Sequence, residues 1–239
     1  MTDSAADRSM RIAVAFAREA ALSPKARLCR ACRDVLGVSG TGLTLMAGTS
    51  TGPLCATSDD VGALEEVQYT AGEGPCQEAF SSRQTVSAPR LDDAAFARWP
   101  SFVEAARRYG IGGVFAFPMT SKGHQVGVMT LYQRTPGDLS SQQHEDSVAI
   151  AEVLTETVLS LQRQAVPGEL GPGLDGAGLY RAEVDQAVGM LAVQLGIPIT
   201  DAIVRLRAHA FAIDVPLSQL AVDIVAGRTA LPDDRDEKR

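Results

Sequence analysis

Four cysteines, three histidines and a few arginines are the residues of this chain whose types and spacing could carry chemistry. Cys29 and Cys32 stand in a C-x-x-C spacing, which serves thiol redox pairs and half of many zinc sites. The same i, i+3 spacing on an amphipathic helix is a buried stripe, and no second C-x-x-C or neighbouring His supplies more ligands. The structural reading is preferred, because free cysteines are among the most buried residue types. Cys76, inside the run GEGPCQEAF, is a lone thiol whose nearest histidines, His124 and His144, lie far along the chain without a helper pattern. Gly72 and Gly74 lack the Lys-Ser/Thr and spacing of a phosphate loop, and a tight turn opening a helix at Pro75 accounts for both. No catalytic residue, metal site or cofactor is assigned, and the chain is read as a non-enzyme. The four cysteines are also too few and too scattered for a disulfide framework in a reducing compartment.

The elements that position the arginines are clearest in the last fifty or so residues. Over 179–231 the spacing predicts three amphipathic helices. The first places Val184, Ala187, Leu191 and Leu195 on one face and is stopped by Gly196 and Pro198. Thr200 is expected to cap the second, which turns Ile203, Leu206, Ala210 and Phe211 inward. The third begins after Pro216, carries Leu217, Leu220, Ala221, Ile224 and Val225 as one stripe, and closes at Gly227. Periodicity alone leaves open a dimerisation module, a DNA-binding helix-turn-helix or an RNA binder.

Particular residues go further. Arg181, Val184, Ala187, Gly189, Leu191, Arg207, Ala210, Leu217 and Ala221 resemble the pattern of the ANTAR domain, an RNA-binding module of bacterial transcription antiterminators. Val188 stands where many members have Lys, and Ala192 where Met is common. The resemblance implies that Arg181, Gly189, Arg205, Arg207 and Arg228 contact RNA, with Ala187 and Met190 at or beside the close-packed surface. The four arginines of 179–231 face five acidic residues, a net charge of −1, so this is no broadly basic domain. Recognition would be focused, with arginines stacking on unpaired bases or meeting phosphates of a hairpin loop. A DNA-reading third helix would offer mainly Gln219, Asp223 and Arg228 outward, a poor set for base edges. A bundle that docks on a protein partner remains the other alternative.

Ahead of the helices, a Gly- and Pro-rich stretch over 166–178 reads as a linker between a sensor of 21–165 and the output domain. Signal transfer would then depend on quaternary arrangement. The charged tail 232–239 is expected to be disordered, and 1–20 to form an apolar helix around Met10, Ile12, Val14 and Phe16. With 45% hydrophobic residues, no apolar run long enough to span a bilayer and acidic residues at the N-terminus, the chain is expected in the cytoplasm, without a membrane partner.

The sensor mixes helices and strands. A helix over 24–36 buries Leu28, Cys29, Cys32 and Leu36, and the strand GLTLMAG follows. Weaker signals give a strand at 53–57, short helices at 63–67 and 76–81, a strand at 84–88 and a helix at 100–109. The strongest β signal is a hairpin, 112–120 and 125–133, in which Phe115, Phe117 and Met119 alternate with Val114 and Ala116. A long helix closes the domain over 140–164. This is an α+β domain with an antiparallel sheet and flanking helices, followed by an all-α three-helix bundle.

GEGPCQEAF, the strand QTVSAP and a hairpin ending GVMTLYQ are similar to the GAF domains that precede ANTAR domains in actinobacterial regulators. That resemblance implies a small-molecule site between the sheet and a cap over 57–99, with Phe115, Phe117, Met119, Met129 and Cys76 as the candidate lining. Neither a cyclic-nucleotide signature nor the context of a bilin-attachment cysteine is evident. The first and last helices carry spare apolar surface, which predicts a parallel homodimer presenting two bundles to paired stem-loops in nascent RNA. The expected function is a GAF sensor controlling an RNA-binding antitermination domain. The alternatives are a DNA-binding regulator and a ligand-sensing dimer that docks on a protein.

Overall fold

The computed structural model describes residues 24–47, 50–163, 175–213 and 215–231, together with Met10 and Val14. Met10 and Val14 are helical and exposed. The rest of the expected N-terminal helix, the first part of the linker and the tail lie outside the described residues.

The element order is α1 (Pro24–Leu36), β1 (Gly40–Ala47), β2 (Ser50–Ala56), α2 (Asp59–Ala71), α3 (Pro75–Ser82), β3 (Val86–Ala88), α4 (Asp93–Arg98), α5 (Pro100–Arg108), β4 (Gly113–Ser121), β5 (His124–Gln133) and α6 (Ser141–Arg163). Three further helices follow, α7 (Asp175–Leu195), α8 (Ile199–Ala212) and α9 (Leu217–Val225). The strands form one five-stranded antiparallel sheet in the order β2-β1-β5-β4-β3. The predicted hairpin is present, β4 and β5 turning through Lys122 and Gly123. Helix α4 has no counterpart in the sequence reading: six residues are too few to show a helical period. It is set by Asp92, whose carboxylate accepts from the amides of Ala94 and Ala95.

Strand alternation divides the sheet into two unlike faces. Leu43, Leu45, Phe115, Phe117, Met119, Met129 and Leu131 pack against Leu28, Cys29, Cys32 and Leu36 of α1 and against Ile150, Leu154 and Val158 of α6. The intervening residues Met46, Val114, Ala116, Val128 and Tyr132 meet Val61 and Leu64 of α2, Cys76 and Ala79 of α3, and Phe102, Val103 and Ala106 of α5.

The sequence argued against a disulfide framework, and the fold holds a single bond, Cys29–Cys55, with Cα atoms 6.1 Å apart. Twenty-six residues separate the two in sequence, so spacing could not reveal that α1 crosses beside β2. Cys32, one turn along α1, is a buried thiol, and burial pushes its pKa up.

Helices α7, α8 and α9 share a cluster of Val184, Ala187, Leu191, Leu195, Ala202, Leu206, Ala210, Leu217, Leu220, Ala221 and Ile224. Helix α7 begins inside the stretch read as linker. Two expectations fail locally. Thr200 does not cap α8, which starts at Ile199, with the Pro198 carbonyl accepting from Asp201 and Ala202. Phe211 is 60% exposed, because Leu206 and Ala210, four apart, define the inward line and residue 211 turns away from it. These helices also lie directly on the sheet domain, α7 against β2 and α8 and α9 against α2. Contact within one chain therefore joins the two parts, beyond the quaternary route that the linker alone implied. Among the described residues no single helix is long and apolar enough to cross a membrane.

Candidate functional site

Helix α2 turns Glu65 and Gln68 toward the sheet, where Thr44, Thr130 and Tyr132 alternate with apolar residues of β1 and β5. Thr44 Oγ1 donates to Glu65 Oε2 and Tyr132 OH donates to Glu65 Oε1, both at 2.5 Å. Gln68 Nε2 donates to Tyr132 OH at 3.0 Å, and Gln68 Oε1 accepts from the Cys76 amide at 2.8 Å. The Thr130 hydroxyl stands beside Glu65 and Cys76 but makes no hydrogen bond of normal geometry; Thr41 Oγ1, on the opposite face of the sheet beside Leu131, is likewise buried without a partner. Such orphaned hydroxyls are costly and call for an explanation.

Burial governs the acid–base state of this cluster. It raises the Glu65 pKa, and the hydrogen bonds from Thr44 and Tyr132, with the nearby Thr130 hydroxyl, offset only part of the rise. Burial and the adjacent Glu65 push the Cys76 thiol well up, and the same two influences, in the same order, raise Tyr132. A thiol held protonated is a poor nucleophile. Neither histidine helps: His144 packs on the Phe117 ring, 5.5 Å between centroids, across the sheet from Cys76, and His124 is exposed at the hairpin end. Among the described residues no group of three or more His, Cys, Asp or Glu could hold a metal.

The GEGPCQEAF segment builds the cap around this cluster. Gly74, at φ 120°, begins α3 next to Gln68, and a Cβ there would stand 2.6 Å from Gln68 Oε1. Across the cluster, a Cβ on Gly42 would meet Glu65 Oε1 at 2.4 Å, so β1 needs glycine to admit the carboxyl. Glu73 Oε1 accepts from the amides of Ser101 and Phe102 and caps α5. Glu78 accepts from Trp99 Nε1 at 3.1 Å and pairs with Arg98, which lies over the Trp99 ring.

Of the candidate lining residues, only Cys76 lies under this cap. Phe115, Phe117, Met119 and Met129 are on the opposite face, in the core with α1 and α6. Alternation identified them as one face, but which face meets the cap depends on where the helices pack. Sequence reasoning missed Thr44, Glu65, Gln68, Thr130 and Tyr132. Their trace was polar residues at alternate positions of otherwise apolar strands, and Glu65 and Gln68 one turn apart.

The candidate RNA contacts are dispersed. The Arg181 side chain lies outside the described residues. Ala187 is fully buried, Gly189 is half-buried with open space where a Cβ would stand, and Met190 is 41% exposed. Arg205 is half-buried. Arg228 is held by Asp223, 2.8 Å from Nε to Oδ1, and that hydrogen bond is the main cause of the lowered Asp223 pKa. Arg207 lies over the Tyr69 ring of α2, 5.3 Å from its centroid, and its Nε is buried without a hydrogen-bond partner. Beside it the Leu217 amide donates to Thr70 Oγ1 and the Ser218 amide to Glu66 Oε1, at 3.3 and 3.2 Å.

The sheet has solved counterparts. The GAF domain of an Acinetobacter phosphoenolpyruvate-protein phosphotransferase superimposes with a TM-score of 0.51 at 13% identity, over 68% of this chain and 98% of that one. A domain of a putative two-component sensor histidine kinase protein from Sinorhizobium meliloti gives a TM-score of 0.47 at 18% identity, over 59% and 91%. Among curated proteins none matches the chain. The family model described as GAF domain matches residues 26–159, the sheet with the helices on both of its faces. Spanning more than half of the sequence, that match and the antiparallel sheet beneath it place the chain in the GAF domain family.

Proposed function

We propose that this GAF sensor controls an ANTAR-like RNA-binding module formed by α7, α8 and α9, acting as a transcription antitermination regulator in the cytoplasm. The observation that carries the reading is how the motif residues divide. Of the pattern, Val184, Ala187, Leu191, Ala210, Leu217 and Ala221 are buried together, while Gly189 is half-buried and Arg207 lies against Tyr69; Met190 and Arg205, beside the pattern, are at or near the surface. The apolar half of the pattern thus serves as a core, leaving the other half for recognition. Two copies would present paired modules to adjacent stem-loops. The outer side of α6, where Val148 and Val153 are exposed, is the surface for that pairing.

The signal is a small molecule received under the cap at Thr44, Glu65, Thr130 and Tyr132, where the buried Thr130 hydroxyl has no partner. The chain is a regulator without catalytic activity or a resident cofactor, in keeping with a Cys76 thiol held protonated. A protein-docking role for α7 and α8 is the second reading, favoured by Val193 at 86% and Val204 at 62% exposure. Gln219 on α9 and Arg228 just beyond it are both engaged with Asp223, which disfavours base reading in DNA.

Crosslinking the tagged protein in its own cells and sequencing the recovered nucleic acid tests the proposal. Paired short hairpins upstream of terminators, lost with Arg181→Ala and Arg205→Ala, are the expected result. Enriched DNA, or no nucleic acid, would overturn it.

A further inference from the structure

We propose that α2 of the sensor is an internal competitor for RNA, with the Tyr69 ring occupying the place on Arg207 that an unpaired base would take. The inference rests on the RNA-binding reading above and assigns its regulation. Proteins hold single-stranded loops by stacking bases on aromatic rings and guanidinium planes. Arg207 makes a cation–π contact with the Tyr69 ring, and its buried Nε finds no hydrogen-bond acceptor in the docked arrangement. Arg207 is thus held by a cation–π contact that leaves its Nε donor unused, a donor that a phosphate or base edge would satisfy.

The docking is specific. The first-turn amides of a helix need outside acceptors, and Pro216 at the N-cap of α9 supplies no side-chain oxygen. Thr70 and Glu66 of α2 accept from Leu217 and Ser218 instead. Three residues on one side of α2, at 66, 69 and 70, therefore hold the C-terminal helices. Two more residues of the same helix, Glu65 and Gln68, join the buried cluster with Tyr132. A ligand that displaces α2 from Tyr132 moves the helix that covers Arg207, so occupancy under the cap and exposure of the RNA surface share one rigid element. The docked form is the closed state, and a signal shifts the population toward the open one.

The test uses the full chain and a labelled pool of RNA hairpins with randomised loops. Tyr69→Ala, and separately the double variant Glu66→Ala/Thr70→Val, should each retain about five- to tenfold more RNA than the parent protein. The double variant should also show faster amide hydrogen exchange at Leu217 and Ser218. Arg207→Ala should lose RNA in every background. Should Tyr69→Ala fail to fold, the double variant, which keeps the ring, decides. Unchanged exchange at those amides, or faster exchange with no gain in RNA while parental binding still requires Arg207, would overturn the competition and leave the RNA reading standing. Retention of RNA by none of these proteins would overturn both.

Discussion

The two faces of the sheet solve the burial problem in opposite ways. Toward α1 and α6 the strands present mainly leucine, phenylalanine and methionine, with Thr41, the His144 ring against Phe117 and the Cys29–Cys55 bond as the exceptions. Toward α2 and α3 the same strands present Thr44, Thr130 and Tyr132 around a buried glutamate, with the Thr130 hydroxyl unpaired. An apolar core is stabilised by area removed from water, whereas a buried polar network is favourable only when every group is satisfied. The first face reads as structural, and the second as the one that a signal can rearrange.

The largest expected effect lies on the apolar face. Phe117→Ala removes a fully buried ring and should lower unfolding free energy by about 3–5 kcal/mol in denaturant titrations. A loss under about 1 kcal/mol would show that this face is not the rigid one. On the polar face, Tyr132→Phe keeps the volume but removes the donor to Glu65 and the acceptor of Gln68, at a cost of about 1–3 kcal/mol by the same measurement. An unchanged midpoint would mean that the network is already open in solution.

The smallest effect is in the pH dependence. Glu65 has a raised pKa in the folded protein, so its contribution to stability is complete below the unfolded value of about 4.3 and declines as pH rises toward the folded one. Glu65→Gln should flatten that part of the stability–pH curve and leave the neutral-pH variant at least as stable as the parent. A parental curve without that slope would show that the carboxyl has water or a cation beside it.

Much of the fold was legible because its signals are local. Alternation gave β4 and β5 as a hairpin, and three- and four-residue spacing gave α1, α6 and the C-terminal helices close to their observed limits. The candidate sensor site was not legible, because it is assembled from β1, α2, α3 and β5. Each contributes one or two residues that look unremarkable in their own segment. GEGPCQEAF was noticed for its composition, and its part is to cap α5, pin Trp99 and give Gln68 room.

The sequence by itself determined the longer elements and most of their apolar stripes, because hydrophobic periodicity reports which side of a helix or strand must leave water. It left open which face of the sheet meets which helices, that Cys29 would find Cys55, and that Arg207 would find Tyr69. Those pairings join residues far apart in the chain. They arise only when whole elements pack, and no local pattern of residues encodes the partner across such a gap.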